Sequence, residues 1–265
     1  MAPEILKAES LELPGLGHGF CGRRGGSSSG RYESFNLSRW VNDDSAAVEL
    51  NWNALASRLP PHRKVVLLNQ VHGTIVHRVG RGHDGTRLTG DGAVTIDEGV
   101  VLGIFTADCV PVLMIDPIVR VAGAVHAGWR GTLDGMARSA IDGMIAAGAA
   151  PEQIKVAMGP SIGPCCYEVD EELGWRFLRA YPDSAPFVRT GAPGKTMLDL
   201  RGVLGDQFLQ AGVRAESISA VGPCTKCAFD RFFSRRGAGG VQCGLQLSFI
   251  GFTDSSSDDL RRGPQ

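Results

Sequence analysis

The sequence has no excess of charge of either sign: 27 Lys and Arg stand against 28 Asp and Glu, for a net charge of −1. A nucleic-acid-binding face brings a basic surplus, so nucleic acid is not an expected partner. No apolar run approaches the length of a membrane-spanning helix, so no membrane partner is expected either. The opening, MAPEILKAESLELPG, lacks a basic segment followed by an apolar stretch and does not read as a secretory signal. Cysteines number seven, an odd count that suits no disulfide framework. With 43% hydrophobic residues the core is large enough to need none. A cytoplasmic protein with reduced thiols is the expectation. No G-x-G-x-x-G or Walker sequence follows a strand-like run, which excludes dinucleotide and ATP sites of those kinds. There is no HExxH, no internal repeat and no low-complexity linker.

What is present is a succession of short apolar runs and amphipathic stretches without regular βαβ alternation. Residues 1–10 read as a flexible, untethered start, 11–253 as one domain, and 254–265 as a polar, disordered tail. Residues 42–59 predict a helix, with Asp43, Asp44 and Ser45 at its start and two prolines at 60–61 to stop it. KVVLLNQ (64–70) and TIVHRVG (74–80) predict a hairpin around His72-Gly73. Residues 92–128 hold four apolar runs, expected to pair within one sheet. Helices are expected over 131–148, 170–181 and 198–212, a loop over 182–195, and strands over 154–160, 218–224, 231–236 and 245–252. Helices covering one face each of two packed sheets suit this pattern.

His72, Cys109 and His126 each follow or end one of the buried apolar runs, so two imidazoles and a thiol are expected at neighbouring strand ends. Two His and one Cys leave a tetrahedral metal one ligand short, the open position that a catalytic zinc keeps. Widely spaced His and Cys are also ordinary buried residues, and Cys is among the most buried types. Elsewhere, the glycine- and serine-rich loop beside Arg23, Arg24 and Arg31 offers donors suited to an anion, with a solvated flexible loop as the alternative.

The segments NQVHG, TADCVPVLMID, GAVHAGWRG, GPSIGPCCYEV and CTKC followed by FFSRR, in that order over about residues 17–252, resemble the YfiH-like laccase-domain family. Its members have been called multicopper polyphenol oxidases and purine nucleoside phosphorylases. The resemblance implies a single α/β domain, mixed sheets packed face to face with helices outside, an αββα-like sandwich. It implies His72, Cys109 and His126 as ligands of a metal, usually zinc, with copper as the alternative. It implies purine nucleoside and phosphate as substrates: phosphorolysis of adenosine, inosine, guanosine and methylthioadenosine, with adenosine deamination beside it. A monomer is expected.

Around such a site, further residues acquire candidate roles. Phosphorolysis needs an anion held near the sugar C1′. Arg130, four residues after His126, is a candidate clamp, as are Arg23 and Arg24; a surface ion pair is the other reading of Arg130. Asn69 is a candidate for sugar or base recognition, or a strand-end cap. Asp108 could orient a ligand His or simply form a turn; Asp91 ranks below it for the same part. Cys165 and Cys166, after a Gly-Pro turn, read as pocket-lining residues or as buried structural thiols, and Cys224 with Cys227 as half of a zinc knuckle needing Cys243 and a fourth ligand.

Three other functions use the same residues. A copper polyphenol oxidase needs many His for its trinuclear cluster, and the chain has six in all. A cysteine hydrolase, or a cell-wall precursor editing enzyme, would use Cys109 as nucleophile with His72 or His126 as base. A non-enzymatic partner protein would keep zinc for stability in a closed four-ligand site.

Overall fold

The Val-, Ile- and Leu-rich runs become strands buried on both faces. The structure is a computed structural model and describes residues 2–60 and 64–253. In chain order the strands are β1 (Ile5–Leu6), β2 (Leu16–Cys21), β3 (Lys64–Leu67), β4 (Val76–Arg78), β5 (Gly92–Thr95), β6 (Val100–Thr106) and β7 (Val110–Asp116). They continue with β8 (Val121–Ala127), β9 (Lys155–Met158), β10 (Glu168–Asp170), β11 (Val188–Thr190), β12 (Lys195–Leu198), β13 (Ile218–Ala220) and β14 (Gln246–Phe252). The α-helices are α1 (Ser45–Ala56), α2 (Trp129–Leu133), α3 (Met136–Ala146), α4 (Glu171–Ala180) and α5 (Leu200–Gln210). One sheet runs β1-β2-β14-β6-β3, a second β13-β9-β7-β8-β5-β4, and a small third β10-β12-β11.

Strand periodicity sorts the side chains into layers. On β7, Val110, Val112 and Met114 face the helices α3 and α5, and Leu113 and Ile115 face the first sheet. Phe20, Leu102, Ile104 and Ile250 of the first sheet meet Ala93, Leu113, Ala124 and Ala157 of the second. The outer face of the first sheet packs Phe249 and Leu247 against Leu55 of α1. This is the expected αββα sandwich, a single α/β domain.

Several local expectations give way to this architecture. No hairpin forms around His72: β3 pairs in parallel with β6 in the first sheet, and β4 in parallel with β5 in the second. The segment carrying His72 is a crossover between sheets. The 92–128 stretch is likewise split, with β6 in the first sheet and β5, β7 and β8 in the second. Its second crossover carries Asp108 and Cys109. The 131–148 helix is broken at Gly135, whose φ of +89° is left-handed, so α2 and α3 are separate. The 182–195 loop contributes β11 and part of β12, strands too short and polar to signal themselves. Residues 231–236 form no strand: Phe232 and Phe233 are both buried, and the Gln246 side chain bonds the Phe233 N–H at 2.7 Å in place of a partner strand. The expected untethered start is pinned, since Ile5 and Leu6 pair with Cys21 and Phe20 and Glu4 forms an ion pair with Arg231. The expected tail at 254–265 lies outside the described residues.

The pinned start also buries a histidine. His18 of β2 is 2% exposed, and its Nε2 accepts the Ala8 N–H at 3.0 Å. Burial, then the Lys7 ammonium nearby, pushes its pKa down to about 4. The contribution of a depressed histidine is complete above the unfolded value of about 6.5 and is lost as pH falls toward the folded value, because the unfolded chain takes up a proton that the folded one refuses. Urea midpoints are therefore expected to fall between pH 6.5 and 4, and His18→Gln should show a shallower dependence over the same range.

Candidate metal centre

The two crossovers bring His72 and Cys109 to one end of the sandwich, where β8 delivers His126. One ligand atom from each lies within 4.8 Å of those of the other two. The imidazoles meet edge to face, with centroids 4.8 Å apart and planes at 84°. Both crossovers bend through left-handed backbone, at His72 (φ 62°) and at Asp108 (φ 95°), conformations that L side chains adopt only when their surroundings enforce them.

Asp91 is what enforces the first. Its Oδ2 accepts the N–H groups of Val71 (3.1 Å) and Gly73 (2.7 Å), and its Oδ1 accepts that of His72 (2.9 Å). The same Oδ1 takes the Nδ1–H of His126 at 2.8 Å. One buried carboxylate thus folds the His72 turn and sets the His126 tautomer, leaving Nε2 as the lone-pair donor. Burial would raise the Asp91 pKa, but His126 and the Gly73 N–H outweigh it and hold the carboxyl below its usual range.

The thiol responds to this frame. Burial alone would push Cys109 up, but His126 and His72 bring it down to about 6. Burial would lower His126, yet Cys109 and Asp91 raise it to about 9. Gly128 completes the fit. A Cβ there would stand 3.0 Å from both Cys109 Sγ and His72 Cδ2, so the glycine leaves the donors room to converge. Once an ion displaces the His126 proton, two imidazole nitrogens and one thiolate, oriented and uncrowded, suit a borderline-soft ion such as zinc.

The trio opens onto a cleft of about 290 Å³. Its walls include Trp40, Gln70, Phe105, Arg87 and Arg235. Trp40 and Phe105 meet edge to face at 5.8 Å, and the Arg87 guanidinium lies 3.4 Å from the Trp40 ring centroid. Gln70 is committed to the Phe105 backbone, donating to its carbonyl at 2.8 Å and accepting its N–H at 2.9 Å. Arg87 donates twice to the Leu68 carbonyl, at 3.1 and 3.0 Å. Arg235 has no carboxylate partner among the described residues.

The other sequence candidates sit elsewhere. Arg23 donates to the carbonyls of Glu33 (2.7 Å) and Phe229 (2.9 Å) and lies over the rings of Phe229 and Phe233. Arg24 is paired with Asp230. Both tie the basic loop to residues 229 and 230, and neither lines the cleft beside the His72–Cys109–His126 trio. Arg130 lies over the Trp129 ring at 4.5 Å instead of on the cleft wall. Asn69 donates to the Thr89 hydroxyl at 3.3 Å beside the bridge between the two residues. Asp108 does not touch the ligand imidazoles. Its carboxylate accepts from the Thr225 hydroxyl at 2.6 Å and the Arg236 N–H at 2.7 Å, bracing the turn before Cys109. Of the two aspartates, Asp91 rather than Asp108 is the one that holds an imidazole of the trio. Cys243 lines the cleft and is not part of a knuckle with Cys224. Trp40 and Arg87 went unremarked because they come from separate loops with no shared motif, and Arg235, though part of FFSRR, was given no role.

A family model described as "Multi-copper polyphenol oxidoreductase laccase" matches residues 17–253. The purine nucleoside phosphorylase YlmD of Geobacillus stearothermophilus is 36% identical over 93% of this chain and 93% of its own. A crystal structure of YlmD from that organism superimposes with a TM-score of 0.87 at 34% identity, covering 96% of this chain and 98% of the other. The adenosine deaminase RL5, from an unknown prokaryotic organism, is 38% identical over 56% of this chain and 57% of its own.

Proposed function

This chain belongs to the multi-copper polyphenol oxidoreductase laccase family, and from that premise we propose that it is a zinc-dependent purine nucleoside phosphorylase that also deaminates adenosine. The observation that carries the reading is the convergence of two imidazoles and a thiol in the lining of a cleft that also holds aromatic rings and arginines. A histidine-rich cluster of the kind a multicopper oxidase requires is not found among the described residues, where His72 and His126 are the only imidazoles in a metal-competent group.

His72, Cys109 and His126 would hold the ion, which when bound supplies Lewis acidity next to the cleft. The chain's own groups do the rest. Trp40, 45% exposed, offers flat apolar surface against which a purine can stack, with Phe105 supporting it from the core. In phosphorolysis a phosphate oxygen forms the new bond to C1′ while the bond from C1′ to the purine nitrogen breaks, and the base leaves with a proton. The phosphate must be held as it attacks, and a guanidinium does so through paired, charge-assisted hydrogen bonds. Arg235 supports that role better than Arg130, because it lines the cleft and Arg130 does not. Adenosine, inosine, guanosine and methylthioadenosine are the proposed substrates.

Arg235→Ala is expected to raise the KM for phosphate about tenfold, the loss of one hydrogen-bonded charge. Adenosine deamination, which uses no phosphate, should stay within about twofold of wild type. Arg130→Ala serves as the comparison. Equal loss of both activities in Arg235→Ala, or a larger phosphate effect in Arg130→Ala, would return the anion site to Arg130.

One observation favours a second reading. Cys109, His126 and Asp91 form a chain of thiol, imidazole and carboxylate, the order that activates a cysteine nucleophile. A cysteine hydrolase, or an enzyme editing cell-wall precursors, would use it without metal.

A further inference from the structure

Cys165 and Cys166 lie on the loop after β9, and Cys224 and Cys227 on the loop after β13. Their four sulfurs come within 4.8 Å of one another, although the two loops are far apart in sequence. We propose that these four cysteines bind a second zinc ion, a closed structural site separate from the His72–Cys109–His126 set.

Distances decide between metal and disulfide. Cys227 Sγ lies 3.5 Å from the sulfurs of both Cys165 and Cys166, and all four thiols are free. A disulfide needs about 2.05 Å, and one sulfur cannot be bonded to both neighbours. Sulfurs about 2.3 Å from a tetrahedral zinc stand roughly 3.8 Å apart, close to what is found here. Four thiolates fill the coordination of zinc and leave no position for substrate, which marks a structural site. The backbone N–H groups of Gly163, Cys227 and Lys226 lie close enough to Cys224 to favour its thiolate. Gly163 permits this approach, since a Cβ there would stand 3.2 Å from that of Cys224. The loops are also registered by their backbones, with the Thr225 N–H bonded to the Ser161 carbonyl at 3.0 Å.

The position of the cluster gives the ion a task. Thr225, between the two loop cysteines, donates to Asp108, and the Asp108 carbonyl accepts the Ile162 N–H at 2.9 Å. Both cysteine loops therefore bear on the turn that presents Cys109. Zinc there clamps the loops to each other and so braces the first centre from behind. Loading replaces thiol protons with the ion, so it is favoured as pH rises.

Elemental analysis of protein purified in reductant tests this. Wild type is expected to carry two zinc ions per chain, Cys109→Ala one, and the Cys224→Ser/Cys227→Ser double variant one. In Cys109→Ala, zinc-edge X-ray absorption should show sulfur alone in the first shell, at about 2.3 Å. A single zinc in wild type that is lost in Cys109→Ala and kept in the double variant overturns the proposal. So do nitrogen or oxygen ligands in Cys109→Ala, or disulfides among the four cysteines in the native protein. If the double variant fails to fold, the zinc content of Cys109→Ala still decides. A single zinc that survives Cys109→Ala supports this site and removes the metal from the His–Cys–His reading instead.

Discussion

Asp91→Ala is expected to lower metal affinity at the His72–Cys109–His126 set by about 10–100-fold, the usual effect of removing a carboxylate that orients a ligand histidine. It should also destabilise the fold by about 3–5 kcal/mol, as breaking a buried charged pair does. The residue is wholly buried and satisfies three N–H groups and an imidazole, all of which lose their acceptor together. Asp91→Asn separates the two effects. Its remaining oxygen can keep the position of Oδ1, serving His72 N–H and His126, while its amide nitrogen confronts the N–H groups of Val71 and Gly73. Stability should then fall further, relative to Ala, than metal affinity does. Zinc competition against a chelator and urea unfolding read the two quantities. Wild-type affinity in Asp91→Ala would mean that His126 is not a ligand.

Cys109 gives the second large effect. Cys109→Ala is expected to reduce both phosphorolysis and deamination by about 10³-fold, the several kcal/mol that a Lewis acid supplies. The same loss is expected on stripping the metal from wild type, with recovery when zinc is returned. The thiol hydrolase predicts loss in the variant and no effect of the chelator. Iodoacetamide labelling distinguishes them directly. A coordinated thiolate is masked, so Cys109 should be alkylated slowly in the loaded protein and quickly after chelation. Peptide mass spectrometry must read Cys109 itself, because the other cysteines obscure a bulk thiol count. Rapid labelling indifferent to chelator, with loss of activity, would establish the hydrolase.

The convergence of His72, Cys109 and His126 was legible because each follows or ends a run whose burial the sequence declares, so their side chains meet where strands end. Asp91 was ranked below Asp108 because adjacency to Cys109 is visible in a sequence, whereas a hydrogen bond across two strands is not. The layers followed from periodicity. The assignment of strands to sheets did not, since β3 and β4 look like a hairpin to any local rule and only tertiary pairing separates them. The thiols that lie beside Cys224 and Cys227 are Cys165 and Cys166 rather than Cys243, because the loops after β9 and β13 converge through the parallel pairing of those strands.

The position of β14 constrains how the molecule can be made. It lies in the middle of the first sheet, bonded to β2 on one side and β6 on the other, over 200 positions along the chain from β2. Non-local pairing of this kind is slow, because the closure entropy is met before the contacts form. Until residue 252 has been synthesised, β2 and β6 each expose a hydrogen-bonding edge, and the nascent chain is at its most prone to pair wrongly or aggregate. A chaperone that shields those edges should raise the yield of folded protein more than a stabilising substitution in the helices.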